Sequence, residues 1–352
     1  MKLSFDEKIT KYFSTFNISL KDKPPRHLIH LYADYVEVVS LFSNNNFVSK
    51  SDILDRLEDE GLLKIEKRDI EFNSDMFQDT QSGILTRDNQ GEYEYIEQAE
   101  ENDKNQILVD NIFREIISRT YLYGSDYPYN VISNDIILKN NEQLSDRNKI
   151  YLFLLLSSNL NLFKIFESEL TSEFETVSYE ALKNFMPSHA EVKSMGQNTG
   201  YVGNTIEKIK QLAQELSIDI DEHSICQISS RANKDKGLDL IAWIKFNDSV
   251  PNLLTVLGQC ACGKEWYKKL AETRRYKNYY KFYRNKPIHA MFIPYSQINY
   301  QDSSFYQSDE ITETLLFDRK RIISCMNNIL FFDSLQSKAI IDKCIEFEED
   351  IV

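Results

Sequence analysis

Glycine is scarce in this chain of 352 residues. There are ten, and none belongs to a GxGxxG fingerprint or to a glycine-rich P-loop. Nucleotide-cradling loops need backbone that approaches a phosphate closely, so an NTPase or a dinucleotide enzyme is not expected. Cysteine is sparse too, with five residues at irregular spacing and no CxxC pair. That pattern suits unpaired thiols in a reducing compartment and gives no zinc framework. Basic charge is in deficit: 41 Lys and Arg against 55 Asp and Glu leave a formal net charge of −14. A surface of that sign does not bind nucleic acid indiscriminately, although a local basic groove remains compatible with it. Long apolar runs are missing as well. The start, MKLSFDEKIT, lacks the apolar core of a signal peptide. The most apolar stretch, Ile150 to Phe166, is interrupted by Ser157, Ser158, Asn159, Asn161 and Lys164. It reads as a buried helix and not as a membrane span. The expected location is cytoplasmic, with no membrane partner.

What is present is an ordinary globular composition, 42% hydrophobic and 27% charged, long enough for two or three domains. Residues 26–43 carry apolar residues at helical spacing. A polar turn at Asn44 to Asn46 leads to a second helix, ILDRLEDEGLL, capped near Ser49 to Asp52. Residues 1–100 therefore fit a winged-helix or other small helical domain. The second helix bears Asp55, Glu58, Asp59 and Glu60 against Arg56, so packing or partner binding is favoured there over DNA reading. The acidic stretch 87–104 reads as a linker or exposed loop. Residues 101–190 form a helical region whose Tyr and Leu stripes belong to a core.

From about residue 191 to 352 the pattern becomes mixed α/β. A helix, NTIEKIKQLAQEL, precedes strands at SICQISS, GLDLIAWIKF and LLTVLGQCA. Then come a basic, aromatic helix from Lys264 to Lys286, the apolar strand PIHAMFIPY, and helical segments near 309–329 and 334–348. Helices flanking a small mixed sheet give an α/β/α sandwich.

Two residues stand out in the stretch Gly237 to Trp266. Asp239 shares a strand face with Ile241, Trp243 and Lys245 and is flanked by apolar neighbours. It needs a cation, a hydrogen-bond network or an exposed strand end. Gln259 ends an apolar run that reads as a central strand, and an unpaired amide there costs about 1–3 kcal/mol. A carboxylate and an amide side by side can hold a hard divalent ion; a Gln bonded to a neighbouring strand is the alternative. The helix from Lys264 to Lys286 holds nine Lys or Arg residues interleaved with seven aromatics. Such an island suits phosphate contact through Lys268, Lys269, Arg274, Arg275 and Lys277, or pairing with the chain's own acidic segments. Cys260 and Cys262 read as structural thiols.

The order helix, strand, strand, helix, strand around Asp239 and Gln259, over about residues 200–295, resembles the core of the PD-(D/E)xK nuclease superfamily. The closer likeness is to its Mrr-like branch, in which Gln replaces the second acid. The resemblance implies a restriction-endonuclease-like fold and a metal-dependent DNA endonuclease or nuclease-like effector of anti-phage defence. It implies Mg²⁺ or Mn²⁺ held by Asp239, Gln259 and the main-chain carbonyl of Cys260. DNA would be the substrate. The residues before about 190 would dock a protein partner, such as an ATPase subunit, and a homo-oligomer is compatible with it. The superfamily's lysine falls where this chain has Ala261, and Lys264 is the residue whose stem can reach back toward the site. Glu207, on the first helix of the core, either joins the metal site or closes a capping box with Asn204. Without a working lysine, the same fold would be a catalytically inactive DNA-binding or scaffold subunit.

Overall fold

The computed structural model describes residues 3–15, 23–43, 47–58, 87–133, 136–139, 144–196, 199–228, 237–246, 248, 250, 253–282, 285–327 and 329–347; for 47, 87–101 and 136–139 only the backbone is described. The chain is mixed α/β and divides into two compact units. The first contains residues 1–14, 122–128 and 142–344, and the second 15–121, 129–141 and 345–352. Borders expected at 100 and 190 do not coincide with these limits, because residues 101–121 pack with the second unit and 142–190 with the first.

The opening helix α1 (Phe5–Thr15) belongs mostly to the first unit. The second unit comprises α2 (Ile29–Phe42), β1 (Phe47–Ser49), α3 (residues 50–58), the body of α4 (Arg87–Tyr123), β2 (Tyr129–Ile132) and β3 (Ile136–Lys139). Its strands pair antiparallel in the order β1-β3-β2. The acidic stretch 87–104, expected as a linker, is instead the first part of α4. Glu, Gln, Ala and Lys are good helix formers, and no proline interrupts them. Inside this unit Arg119 is fully buried. Its guanidinium reaches Asp34 and Glu37 at 2.7 Å each, Glu115 at 3.2 Å and the carbonyl of His30 at 2.7 Å.

In the first unit, Ser145 closes a capping box with Asn148 at the start of α5 (Asp146–Ser158), and this helix is buried from Ile150 to its end. Ser158 is a core residue with a partner, accepting from the buried Arg319 guanidinium at 3.0 Å. Among the described residues no helix is long and apolar enough to cross a membrane. Next come α6 (Glu167–Phe185), β4 (Glu191–Ser194), α7 (Thr205–Leu216), β5 (Asp219–Ile220) and α8 (Glu222–Cys226). They are followed by β6 (Leu240–Ile244), β7 (Leu254–Cys260), β8 (Tyr280–Lys281), β9 (Ile288–Phe292), β10 (Ile298–Asn299), β11 (Ser304–Phe305) and β12 (Leu315–Phe317). Helices α9 (Arg319–Ser324) and α10 (Ser337–Glu346) close the unit.

The main sheet has five strands in the order β12-β9-β7-β6-β4. β4, β6 and β7 run antiparallel to one another, and β9 and β12 are added parallel to β7. One face of the sheet carries α6. The other packs Ile241, Trp243 and Leu257 against Ile209, Leu212 and Leu216 of α7 and against Tyr276 and Tyr280. The central strand β7 is thus covered on both faces, as a near-continuous apolar run requires.

Three expectations are corrected here. SICQISS does not start as a strand: Asp221 caps Ser224 and begins the short helix α8, while residues 229 and 230 lie outside the described residues. The segment 309–329 contains β12, because Leu315 to Phe317 pair with Ala290 to Phe292 and Phe317 stacks on Phe292 at 4.5 Å. The basic stretch from Lys264 is not one α-helix but two 3₁₀ segments, Trp266–Lys269 and Glu272–Asn278, followed by β8; Tyr283 and Arg284 lie outside the described residues. Thr273 and Tyr276 are both buried and three residues apart, the spacing a 3₁₀ turn stacks on one side.

Removing one partner from a buried ion cluster strands the others, at a cost of about 3–5 kcal/mol. Arg119→Ala should therefore lower the unfolding free energy of the second unit, read from urea denaturation, by that amount. Arg119→Lys should recover only part of it, because an ammonium lacks the guanidinium's fork. A loss below about 1 kcal/mol, the range of exposed pairs, would contradict the assignment.

Candidate functional site

The antiparallel register of β6 and β7 sets Leu240 opposite Gly258. Asp239 immediately precedes β6 at this end, and Gln259 follows Gly258 on β7. Both side chains are buried, Asp239 at 8% and Gln259 at 4% exposure. The backbone around Asp239 is pinned from both sides. Its N–H donates to the carbonyl of Gly258, and its carbonyl accepts from Met195 and Gly196 at the end of β4. The Asp239 carboxylate accepts from the Cys260 N–H at 2.7 Å. So Asp239 is not an exposed strand end; it is held in the sheet and bonded to the strand that carries Gln259.

Gln259 is oriented by a residue whose role the sequence did not disclose. Its Nε2 donates to Glu272 at 2.5 Å. The amide nitrogen is therefore committed, while Oε1 is buried with no hydrogen-bond partner among the described residues. A stranded buried acceptor costs free energy, so this oxygen calls for a donor or a cation. Glu272 reaches Gln259 because the first turn of the second 3₁₀ segment lies over Gly237. That glycine has φ +82°, and a Cβ there would sit 2.6 Å from Glu272 Oε2 and 3.4 Å from Gln259 Nε2. Only a glycine leaves the space, and only the folded-back segment brings Glu272 in.

Asp239, Gln259 and Glu272 offer carboxylate and amide oxygens, the hard donors that a Mg²⁺-like ion takes while keeping several waters. Among the described residues no three His, Cys, Asp or Glu side chains are grouped closely enough to hold a metal ion. A site here thus depends on the amide oxygen of Gln259 and on main-chain oxygen.

The remaining candidates separate. Glu207 is in the capping box: its carboxylate accepts from Asn204 N–H at 2.7 Å, and Asn204 returns the bond. The capping alternative therefore holds for Glu207, and it is not assigned to the metal site. Ala261 is buried, with its N–H on the carbonyl of Phe292. Lys264 is exposed on the turn after β7. Lys268 pairs with Glu265. Arg274 is engaged by the carbonyl of Thr312 at 2.7 Å and by Glu313 at 3.6 Å, which removes it from the set open to a ligand. Lys269, Arg275 and Lys277 are exposed. Trp266, Tyr276 and Tyr280 are core residues, so these aromatics do not form a stacking surface between the cations.

The cysteines behave as structural thiols. Burial first, then the carboxylates of Asp239 and Glu175, push the Cys260 thiol well up. Burial likewise raises Cys262, opposed by the charge of Lys269. Half-burial, reinforced by Arg274, lowers His289, whose Nδ1 lies 2.9 Å from Thr273 Oγ1 and fixes the segment that carries Glu272.

Among known proteins, no family model matches the chain, and neither a curated protein nor a solved structure does.

Thiolate is the reactive form, and the raised pKa of the partly exposed Cys260 and of the buried Cys262 suppresses it. Alkylation of the native protein at pH 8, followed by peptide mass spectrometry, should modify the exposed Cys226 first and spare Cys260 and Cys262 until denaturant is added. Early labelling of Cys260 would contradict its placement.

Proposed function

We propose that the chain is a metal-dependent DNA endonuclease or nuclease-like effector that hydrolyses phosphodiesters at the Asp239–Gln259 pair. One observation carries this reading. A buried carboxylate and a buried amide lie at the same end of the β6–β7 ladder, and among the described residues the amide oxygen has no partner while its nitrogen is held by Glu272. Asp239, Gln259 and the Cys260 carbonyl would hold Mg²⁺ or Mn²⁺, with Glu272 fixing the orientation of Gln259. Such an ion, when bound, supplies an activated water and neutralises charge on the phosphoryl oxygens. The mixed sheet, in which β6 and β7 are antiparallel and β9 continues parallel, supports the PD-(D/E)xK-like reading. The exposed Lys269, Arg275 and Lys277 next to the site would meet DNA phosphates. A role in cytoplasmic anti-phage defence, alongside a protein partner such as an ATPase subunit, belongs to the same reading. The β1-β3-β2 order of the second unit supports a winged-helix module there.

A second reading has its own support. Ala261 is packed into the core, and Lys264 stands exposed on a turn. That favours a catalytically inactive, DNA-binding or scaffold subunit of the same fold.

Plasmid cleavage with Mn²⁺ or Mg²⁺ separates the two. Losing an outer-shell partner of a metal site costs about 10–100-fold, so Asp239→Ala should reduce cleavage by more than about a hundredfold. Glu272→Gln should fall within the outer-shell range. No cleavage by the wild type, with cleavage gained by Ala261→Lys, would establish the inactive subunit.

Binding is tested separately by salt dependence. Replacing Arg275 and Lys277 with Ala should flatten the log–log slope for duplex DNA by about 0.9 per lost contact. Arg274→Ala should leave the slope unchanged, since that side chain is already engaged. An unchanged slope in the double variant would remove this segment from the DNA interface.

A further inference from the structure

Three consecutive residues of the second 3₁₀ segment, Glu272, Thr273 and Arg274, each bond to a different stretch of chain. Glu272 accepts from Gln259 on the central strand β7. Thr273 Oγ1 lies 2.9 Å from His289 Nδ1 on β9. Arg274 donates to the carbonyl of Thr312 at 2.7 Å and lies 3.6 Å from Glu313, in the chain that leads into β12. The three strands are neighbours, in the order β12-β9-β7. We propose that His289 and Thr273 are positioning residues, whose bond sets the roll of this segment and thereby the orientation in which Glu272 holds the Gln259 amide. The proposal rests on the reading of Asp239 and Gln259 as a metal site and names what aligns one of its ligands.

The sheet sets the two bonds side by side. In the parallel register of β7 and β9, Leu257 is paired with His289 and Gln259 with Met291. Side chains alternate along a strand, so His289, Leu257 and Gln259 emerge on one face. Leu257 shares its core cluster with Tyr276, which follows Thr273 by one 3₁₀ turn. The face against which the segment lies thus presents an imidazole and an amide close together, and Thr273 and Glu272 are the residues that meet them.

A 3₁₀ turn takes three residues, so successive side chains are set roughly 120° apart about its axis. Fixing Thr273 on the sheet therefore decides where Glu272 points. Thr273 is 2% exposed, so bulk water does not compete for its hydroxyl. Arg275 and Lys277 follow closely in the chain and would attract the Glu272 carboxylate if the segment were able to roll. With Glu272 drawn away, the Gln259 amide is able to turn over. That exchanges its acceptor oxygen for its donor nitrogen at the place where a cation would sit.

The test uses the full chain, isotopically labelled at glutamine nitrogen and studied by NMR without metal. The Gln259 side-chain signal is assigned by its loss in Gln259→Leu. In the wild type one Nε2 proton, bonded to Glu272, should be shifted downfield and exchange slowly with solvent. Thr273→Val, which removes the hydroxyl and keeps the shape, and His289→Ala should both collapse that shift. Thr273→Ser and His289→Asn, which put back a hydroxyl and a polar atom in the place of Nδ1, should keep it. Titration with Mn²⁺, followed by electron paramagnetic resonance, should find the first two variants weakened by about tenfold, the lower end of what residues behind metal ligands contribute. The second two should bind close to the wild type. The proposal is overturned if the Gln259 signal is unchanged in Thr273→Val and His289→Ala. It is also overturned if the signal is lost equally in Thr273→Ser and His289→Asn, since any change would then loosen the segment. Absence of Mn²⁺ binding by the wild type would count against the metal reading alone, because the amide signal still decides the role of His289 and Thr273.

Discussion

The pairing of β6 with β7 is the constraint on which the first unit rests. Side chains alternate between the two faces of a strand, so a slip of one residue would exchange every inward group of β6 for an outward one. In the observed register Ile241, Trp243 and Leu257 all reach the core formed with α7, Tyr276 and Tyr280. Asp239 and Gln259 lie just past the Leu240–Gly258 pair that ends this ladder. The apolar packing that selects the register therefore also brings a buried carboxylate and a buried amide to one end of the ladder. Neither polar group would be stable there through its own contacts. They are carried in by the hydrophobic residues behind them.

Once buried, the two groups are handled differently. Asp239 is bonded to the Cys260 N–H, and its main chain is tied to β4 and β7. Among the described residues, the Gln259 side chain is tied only at its nitrogen. Glu272 draws the amide into one orientation and leaves the oxygen turned away from it. The surroundings are rich in negative charge, with Glu175 acting on Cys260 from α6 and Glu272 close above Gly237. Positive charge lies outside this shell, on Lys269, Arg275 and Lys277. Such an arrangement is suited to a divalent ion at the centre and a polyanion at the rim.

Much of this organisation was legible in the sequence. The amphipathic face of α7 with its Asn204 cap, the strands β6, β7 and β9, and the buried character of α5 all follow from periodicity and capping residues. Asp239 and Gln259 were conspicuous because a polar residue in an apolar strand needs a reason. What could not be read were features fixed by tertiary packing. The Lys264 to Lys286 stretch has the charge pattern of an exposed helix, yet Trp266, Thr273, Tyr276 and Tyr280 are drawn into the core and wind it into 3₁₀ turns and a strand. Glu272 looked like one acid among many cations, and its contact with Gln259 exists only after that segment folds over Gly237. The strand β12 was hidden in a helical-looking segment because a run of three apolar residues carries no period of its own.

The central claim, that Asp239 and Gln259 form a divalent-cation site, is tested most directly by anomalous diffraction from crystals soaked in Mn²⁺. The account predicts a single strong peak within ligand distance of the Asp239 carboxylate and Gln259 Oε1, lost in Asp239→Ala crystals. Saturating Mn²⁺ with no peak between these side chains, or with a peak only elsewhere, would contradict it.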